Sequence, residues 1–301
     1  MIEGRRRGAG RAVRTAGVAG LVVLAASCAP ARGPVTAPAT LTARPHGGES
    51  TPSAGPTGRP SPTPTPAVTA PPGVKPRAGE VRTIAGSGGL PPVVSMIPTK
   101  RKVVFLTIDD GWEQDPGFVQ QVRDERVPVT VFAMRDAVEA RGVPDQAGGT
   151  ARYVGAGKWD YFRQLRDAGA PVESHTLTHP DLRTLGYAAQ RREICGSAQL
   201  LGKELGRRPE LFRPPYGSYN TDTLRAAKSC GMDTVLLWSA TVQPGGKIAY
   251  QVPDKKLRPG DILLVHFRPG LAHDFRVLVN KIKRRGFALG DLRAYLDAAK
   301  S

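Results

Sequence analysis

The chain has 301 residues and a formal net charge of +17, with 43 Lys and Arg against 26 Asp and Glu. That excess favours anionic partners, such as a wall polymer, a membrane surface or nucleic acid. An export-type N-terminus places the protein away from nucleic acid. Composition also shifts near residue 95, and the tract before it lacks the apolar content to build a core.

Residues 1–28 read as an export signal. Arg5, Arg6, Arg7, Arg11 and Arg14 form a positive stretch, and the apolar run Val18 to Ala26 is too short to span a membrane comfortably. Ala25-Ala26-Ser27-Cys28 then resembles a bacterial lipobox, which would make Cys28 the lipid-modified first residue of the mature protein. Cleavage after Ala29-Pro30-Ala31, leaving a freely secreted protein, is the rival reading. Residues 29–95 are rich in Pro, Thr, Ser and Ala, as in Ser61-Pro62-Thr63-Pro64-Thr65-Pro66, and read as a disordered spacer. The first 95 residues carry 11 Lys and Arg against 3 Asp and Glu, so the positive excess is shared about evenly between them and residues 96–301.

From residue 96 to 301 the pattern is that of one folded domain. Lys102 to Ile108 and Val129 to Met134 are β-branched apolar runs that predict buried strands. Tyr161 to Ala168 predicts a helix and Pro171 to Ser174 an extended segment. Tyr187 to Leu205 has apolar residues at helical spacing, stopped by Gly206. Leu211-Phe212 reads as a short strand and Asp222 to Ser229 as a helix ended by Gly231. Thr234 to Trp238 and Ile262 to Val265 are further strands, and a helix over Phe275 to Arg285 leads to Phe287-Ala288-Leu289. This alternation predicts an α/β fold with a mostly parallel sheet. Of the three cysteines, lipidation of Cys28 leaves Cys195 and Cys230 as a pair. A bridge between them and two buried reduced thiols both remain open.

Polar residues cluster at the ends of the predicted strands. Asp109-Asp110-Gly111 closes the first, His175 and Arg213 each follow one, and His266 ends the Ile262 strand. In parallel α/β folds the loops after strand C-termini converge on one face, where sites are built. His175 and His179 stand four residues apart, so both imidazoles can face one point. With one carboxylate they form a set suited to Zn2+ or another divalent ion with open positions. Asp109 and Asp110 are expected to point oppositely while strand geometry persists, which would let one bind metal and the other act as a base.

Taken in order, these pieces resemble one family. Leu106-Thr107-Ile108-Asp109-Asp110-Gly111, His175-Thr176-Leu177-Thr178-His179, Arg213-Pro214-Pro215-Tyr216-Gly217 and Ile262-Leu263-Leu264-Val265-His266 are similar to the successive motifs of the polysaccharide deacetylases. These are the NodB-homology domains of family 4 carbohydrate esterases. The resemblance implies a distorted (β/α) barrel and a hydrolase that removes N-acetyl groups from a polysaccharide. It implies that Asp110, His175 and His179 hold one divalent metal, Zn2+ in the first place with Co2+ as an option. Asp109 would be the general base, oriented by Arg213, and His266 the general acid. The backbone N–H of Tyr216 would face the developing oxyanion, and Leu264 would line a pocket for the acetyl methyl.

One motif departs from the family pattern. Trp238-Ser239-Ala240-Thr241-Val242-Gln243 lacks the carboxylate that the family places there to pair with the acid histidine. Asp274 is the only substitute suggested, and Trp238 is expected to be a core aromatic. The expected setting is outside the cell, as a monomer tethered to the membrane by a lipid at Cys28 or as a secreted protein, with peptidoglycan amino sugars as substrate. Chitin-like oligosaccharides, O-acetyl esters and a non-catalytic wall-binding role are the alternatives.

Overall fold

A computed structural model describes residues 73–142, 151–251 and 253–300. The leader, Cys28 and the spacer as far as residue 72 lie outside the described residues. Among the described residues, ten strands form one curled, mixed sheet: β1 (Val93–Val94), β2 (Val103–Asp110), β3 (Thr130–Ala133), β4 (Val172–Ser174), β5 (Leu211–Phe212), β6 (Thr234–Leu236), β7 (Ala240–Gln243), β8 (Lys247–Tyr250), β9 (Ile262–His266) and β10 (Ala288–Leu289). Their order is β1-β6-β5-β4-β3-β2-β9-β7-β8, with β10 beside the start of β2. Every strand pairing is parallel except β7 with β8. Only Leu237 to Ser239 separate β6 from β7, and β7 pairs with β9, so the chain itself closes the curl into a distorted (β/α) barrel.

The helices are α1 (Pro116–Asp124), α2 (Arg135–Val138), α3 (Lys158–Asp167), α4 (Tyr187–Leu205), α5 (Thr221–Ser229), α6 (Leu271–Arg284) and α7 (Leu292–Ala298). The first seven residues of β2 are buried because helices cover one face of the sheet and the barrel interior fills the other. Alternation divides the strand between the two layers. Val104, Leu106 and Ile108 pack outward with Phe118 of α1, Phe162 of α3 and Phe275 of α6. Val103 and Phe105 turn inward with Phe132, Leu211, Leu236, Ile262 and Tyr295, and the Tyr295 ring meets Phe105 edge-on at 4.9 Å between centroids. Thr107 and Asp109 continue the inward series toward the C-terminal end of the barrel.

A third apolar cluster lies between α4 and α5, where Cys195 and Cys230 are joined by a disulfide. Gly206 ends α4 in the left-handed region, with its N–H bonded to the carbonyl of Gly202. Asn220 caps α5, sharing reciprocal bonds with Thr223.

The composition break at residue 95 does not coincide with the edge of the packed chain. Val74 pairs with Gly290, Val81 with Thr99, and β1 with β6. Glu80 accepts a hydrogen bond from the Tyr295 hydroxyl at 2.7 Å. A short run of Val, Ile and Glu residues suffices for this strap, because the barrel supplies the other half of each contact. The β7–β8 hairpin likewise carries no clear mark in the sequence; helices α1 and α7 are not among the predicted elements, although Asp115-Pro116 and Asp291 cap their N-termini.

Candidate active site

The site lies at the C-terminal ends of β2, β4, β5 and β9, where their parallel register gathers the polar residues. Asp109 is buried (2% exposed) and Arg213, the largest buried side chain, is closed to solvent. The Arg213 guanidinium donates to Asp109 Oδ1 at 2.6 Å and Thr107 Oγ1 at 2.9 Å, and to the carbonyls of Leu236 at 3.2 Å and Leu237 at 3.1 Å. It also stacks over the Phe132 ring at 4.3 Å. A buried guanidinium is tolerable because nearly all its donors are used on fixed acceptors.

Asp109 and Asp110 do not diverge as strand alternation predicts. Asp110 has φ +78°, which leaves the extended region and swings its carboxylate back toward the same cleft. Asp109 Oδ2 lies 3.8 Å, and Asp110 Oδ1 3.6 Å, from His175 Nε2. Asp110 Oδ1 is also 3.6 Å from His179 Nε2. One ligand-type atom from each of Asp110, His175 and His179 falls within 4.8 Å of the others.

His175 Nδ1 lies 2.8 Å from the carbonyl oxygen of Arg213. A carbonyl can only accept, so Nδ1 carries the proton and Nε2 presents its lone pair to the cleft. Burial lowers the His175 pKa, and burial followed by the His175 charge pushes His179 down to about 4. Both rings are therefore neutral and free to donate lone pairs near pH 7. Asp110 is pushed up to about 7, by burial first and then by the charge of Asp109. Its Oδ1 is buried and has no hydrogen-bond partner among the described residues. An orphaned carboxylate oxygen facing two neutral imidazoles is the donor set of a divalent-cation site, so the residues fit a metal of the Zn2+ type.

His266 is the register partner of Asp109 across β2 and β9 and is exposed at the rim. Burial of its surroundings lowers its pKa; Asp109 opposes this, whereas Arg213 and Arg268 add to it. Tyr216 has φ +60° and its side chain is 68% exposed, with the ring edge-on to His179 at 4.6 Å. Leu264 is buried in β9, beside Thr107 and Thr241, two residues before His266 and on the same strand face.

Asp274 does not pair with His266. It accepts from Arg268 Nη1 at 2.5 Å. The segment after Trp238 is strand β7, whose partners are β8 and β9, and it carries no carboxylate. Trp238 is half-buried against the inner core, and its ring lies 5.7 Å from the Arg213 guanidinium.

Two residues with a clear part in the site are not singled out by sequence. Thr107 bridges Arg213 to the carbonyl of Leu263. Glu193, within α4, accepts three hydrogen bonds from the histidine loop. Thr107 stands inside a recognised motif. Glu193 falls on a half-exposed helical position that nothing in the spacing distinguishes.

A distorted (β/α) barrel with a buried Asp–Arg pair beside an Asp-His-His cluster defines a deacetylase-class hydrolase. The polysaccharide deacetylase family model matches residues 97–235. The chain is 41% identical over 211 residues to an uncharacterised protein of Streptomyces coelicolor, covering 69% of this chain and 78% of that one. It is 28% identical over 177 residues to the peptidoglycan-N-acetylmuramic acid deacetylase PdaA of Bacillus subtilis, covering 56% of this chain and 61% of PdaA. Among solved structures, a family 4 carbohydrate esterase pseudoenzyme from Bacillus anthracis shares the fold, with TM-score 0.56 and 20% identity over 69% of this chain and 70% of that one. The chain belongs to the polysaccharide deacetylase family, the family 4 carbohydrate esterases.

Proposed function

We propose that the domain removes N-acetyl groups from an envelope polysaccharide, with peptidoglycan amino sugars as the first choice of substrate. The observation that carries this reading is the orphaned Asp110 oxygen between His175 and His179, beside the buried Asp109–Arg213 pair. Similarity to PdaA supports the peptidoglycan choice. Asp110, His175 and His179 would hold the divalent cation. Once bound, the cation supplies Lewis acidity toward an amide carbonyl and acidifies a water molecule.

The chain's own residues divide the proton transfers. Asp109, paired with the Arg213 guanidinium at 2.6 Å, takes the proton of the attacking water. His266, across the strand pair, delivers a proton to the departing amine. The Tyr216 N–H is offered to the developing oxyanion by a left-handed backbone turn, and it donates to no acceptor among the described residues. Leu264, on the inner face below His266, supplies apolar surface for the acetyl methyl. Burial, with Arg213 and Arg268 adding to it and Asp109 opposing it, disfavours the His266 imidazolium, so His266 is a stronger acid once protonated but is protonated less of the time.

A second reading, a wall-binding protein that keeps the metal without turnover, draws on the carboxylate that β7 lacks. Acetate release from peptidoglycan and from chitin oligomers, before and after chelation and with Zn2+ or Co2+ restored, separates the two. Asp109→Asn should abolish release while sparing glycan retention. A wild-type protein that binds metal and glycan yet releases no acetate overturns the enzymatic reading.

A further inference from the structure

We infer that Glu193 is a positioning residue for the metal ligand His179, acting through the backbone of the loop it holds; this rests on the proposed metal site of Asp110, His175 and His179. The two histidines are fixed in different ways. His175 is oriented at its own ring, by the bond from Nδ1 to the Arg213 carbonyl. The His179 ring has no bond of that kind to another element: it meets His175 and Tyr216 edge-on, and its Nε2 lies 3.6 Å from Asp110 Oδ1, beyond hydrogen-bond distance. Its place is therefore set by where the backbone leaves it.

That backbone is a conformation a side-chain-bearing residue rarely adopts. Thr176 has φ +72° and His179 φ +59°, both in the left-handed region and neither glycine. Such geometry persists only where its surroundings over-determine it. Within the loop, Thr176 Oγ1 accepts from the His179 N–H at 3.1 Å. From outside, Asp136 N donates to the Leu177 carbonyl at 3.1 Å. The remaining hold is Glu193, whose Oε2 accepts from the N–H groups of Leu177 and Thr178 at 3.0 Å each. Its Oε1 accepts from the Thr178 hydroxyl at 3.0 Å. A single carboxylate thus takes both free amides at the crown of the loop in charge-assisted bonds.

The helix that carries Glu193 is itself braced at this turn. Cys195 is disulfide-bonded to Cys230 at the end of α5. Gly196 leaves room for Leu177: a β-carbon there would meet Leu177 Cδ1 at 2.7 Å. This turn of α4 therefore meets the loop through Gly196 and Glu193, and Glu193 does so by polar contact.

The test is Zn2+ affinity of the full chain, measured by competition with a chromophoric chelator, together with the visible absorption of the Co2+-loaded protein. Wild type is compared with Glu193→Gln and Glu193→Ala, and the metal-free melting temperature of each is recorded. Residues that orient ligands typically change metal affinity by about 10–100-fold. The expected result is a loss in that range for Glu193→Ala, a smaller loss for Glu193→Gln, which keeps one acceptor oxygen, and an altered Co2+ band in both. Zn2+ affinity within about twofold of wild type in the folded Gln variant overturns the inference, whatever happens to melting. Wild-type protein that binds neither Zn2+ nor Co2+ overturns the site reading itself, and the role of Glu193 with it.

Discussion

Arg213 and Asp109 form an ion pair at 2.6 Å with both side chains all but closed to solvent. Burial lowers the Arg213 pKa and the Asp109 charge opposes that fall. Each charge is thus the main compensation for burying the other, and removing one strands its partner. Arg213→Met is expected to cost about 3–5 kcal/mol of stability by urea unfolding. Arg213→Lys keeps the charge but not the fork, leaving at least one of the Leu236 and Leu237 carbonyls unpaired, at about 1–3 kcal/mol. A loss below about 1 kcal/mol for the Met variant would show that the pair is not the compensation described.

Asp110 gives metal-free protein a pH dependence of definite sign. Its folded pKa, about 7, lies above its ordinary value of 3.8. Between those values the unfolded chain releases a proton that the folded chain retains, so this contribution to stability is full below about 4 and lost as pH rises to 7. His179, pushed down to about 4, works in the opposite direction between pH 4 and 6.5. The Asp110 part is isolated by comparison with Asp110→Asn. In chelator, the variant should gain on wild type by up to about 3–4 kcal/mol between pH 4 and pH 7. An unchanged difference in unfolding free energy across that range refutes the burial argument.

The same shift predicts proton release on metal binding. At pH 6 Asp110 is mostly protonated and His179 is neutral, so the entering cation displaces about one proton, from the carboxyl. Zn2+ affinity should fall about tenfold per pH unit below 7. Calorimetry in buffers of different ionisation enthalpy checks the count; release of two or more protons would place titrating histidines in the site.

Reduction of the Cys195–Cys230 bridge should destabilise the domain. The bridge closes a loop across 35 residues of separation, for which chain entropy gives about 3–4 kcal/mol. Guanidinium unfolding of the Cys195→Ser/Cys230→Ser chain against wild type, without reductant, measures this. A midpoint unchanged within error would show that packing between α4 and α5 suffices alone.

Much of the barrel is legible in the sequence because its strands are short, β-branched and bounded by turn residues. The predicted limits of α4 and β5 match the structure to the residue, since Gly206 and the Phe212-Arg213 boundary are sharp signals. The β7–β8 hairpin is not legible. Thr241, Gln243 and Lys247 are polar, and their pairing is set by the edge that β9 offers. Residues 74–95 read as spacer for a similar reason, as their contacts are supplied by α7, β6 and β10.

The sequence by itself determined the fold class, the strand ends that carry the polar groups and the identity of those groups, because these depend on local pattern and motif order. Tertiary structure alone decided where each group points. The left-handed turn at Asp110 cancels the strand alternation that would have parted it from Asp109. Arg268, not His266, takes Asp274. A carboxylate of Glu193, fourteen positions beyond His179, reaches back to hold the loop that places it. Such relations depend on distances of about 3 Å between residues remote in the chain, and only the closed barrel sets those distances.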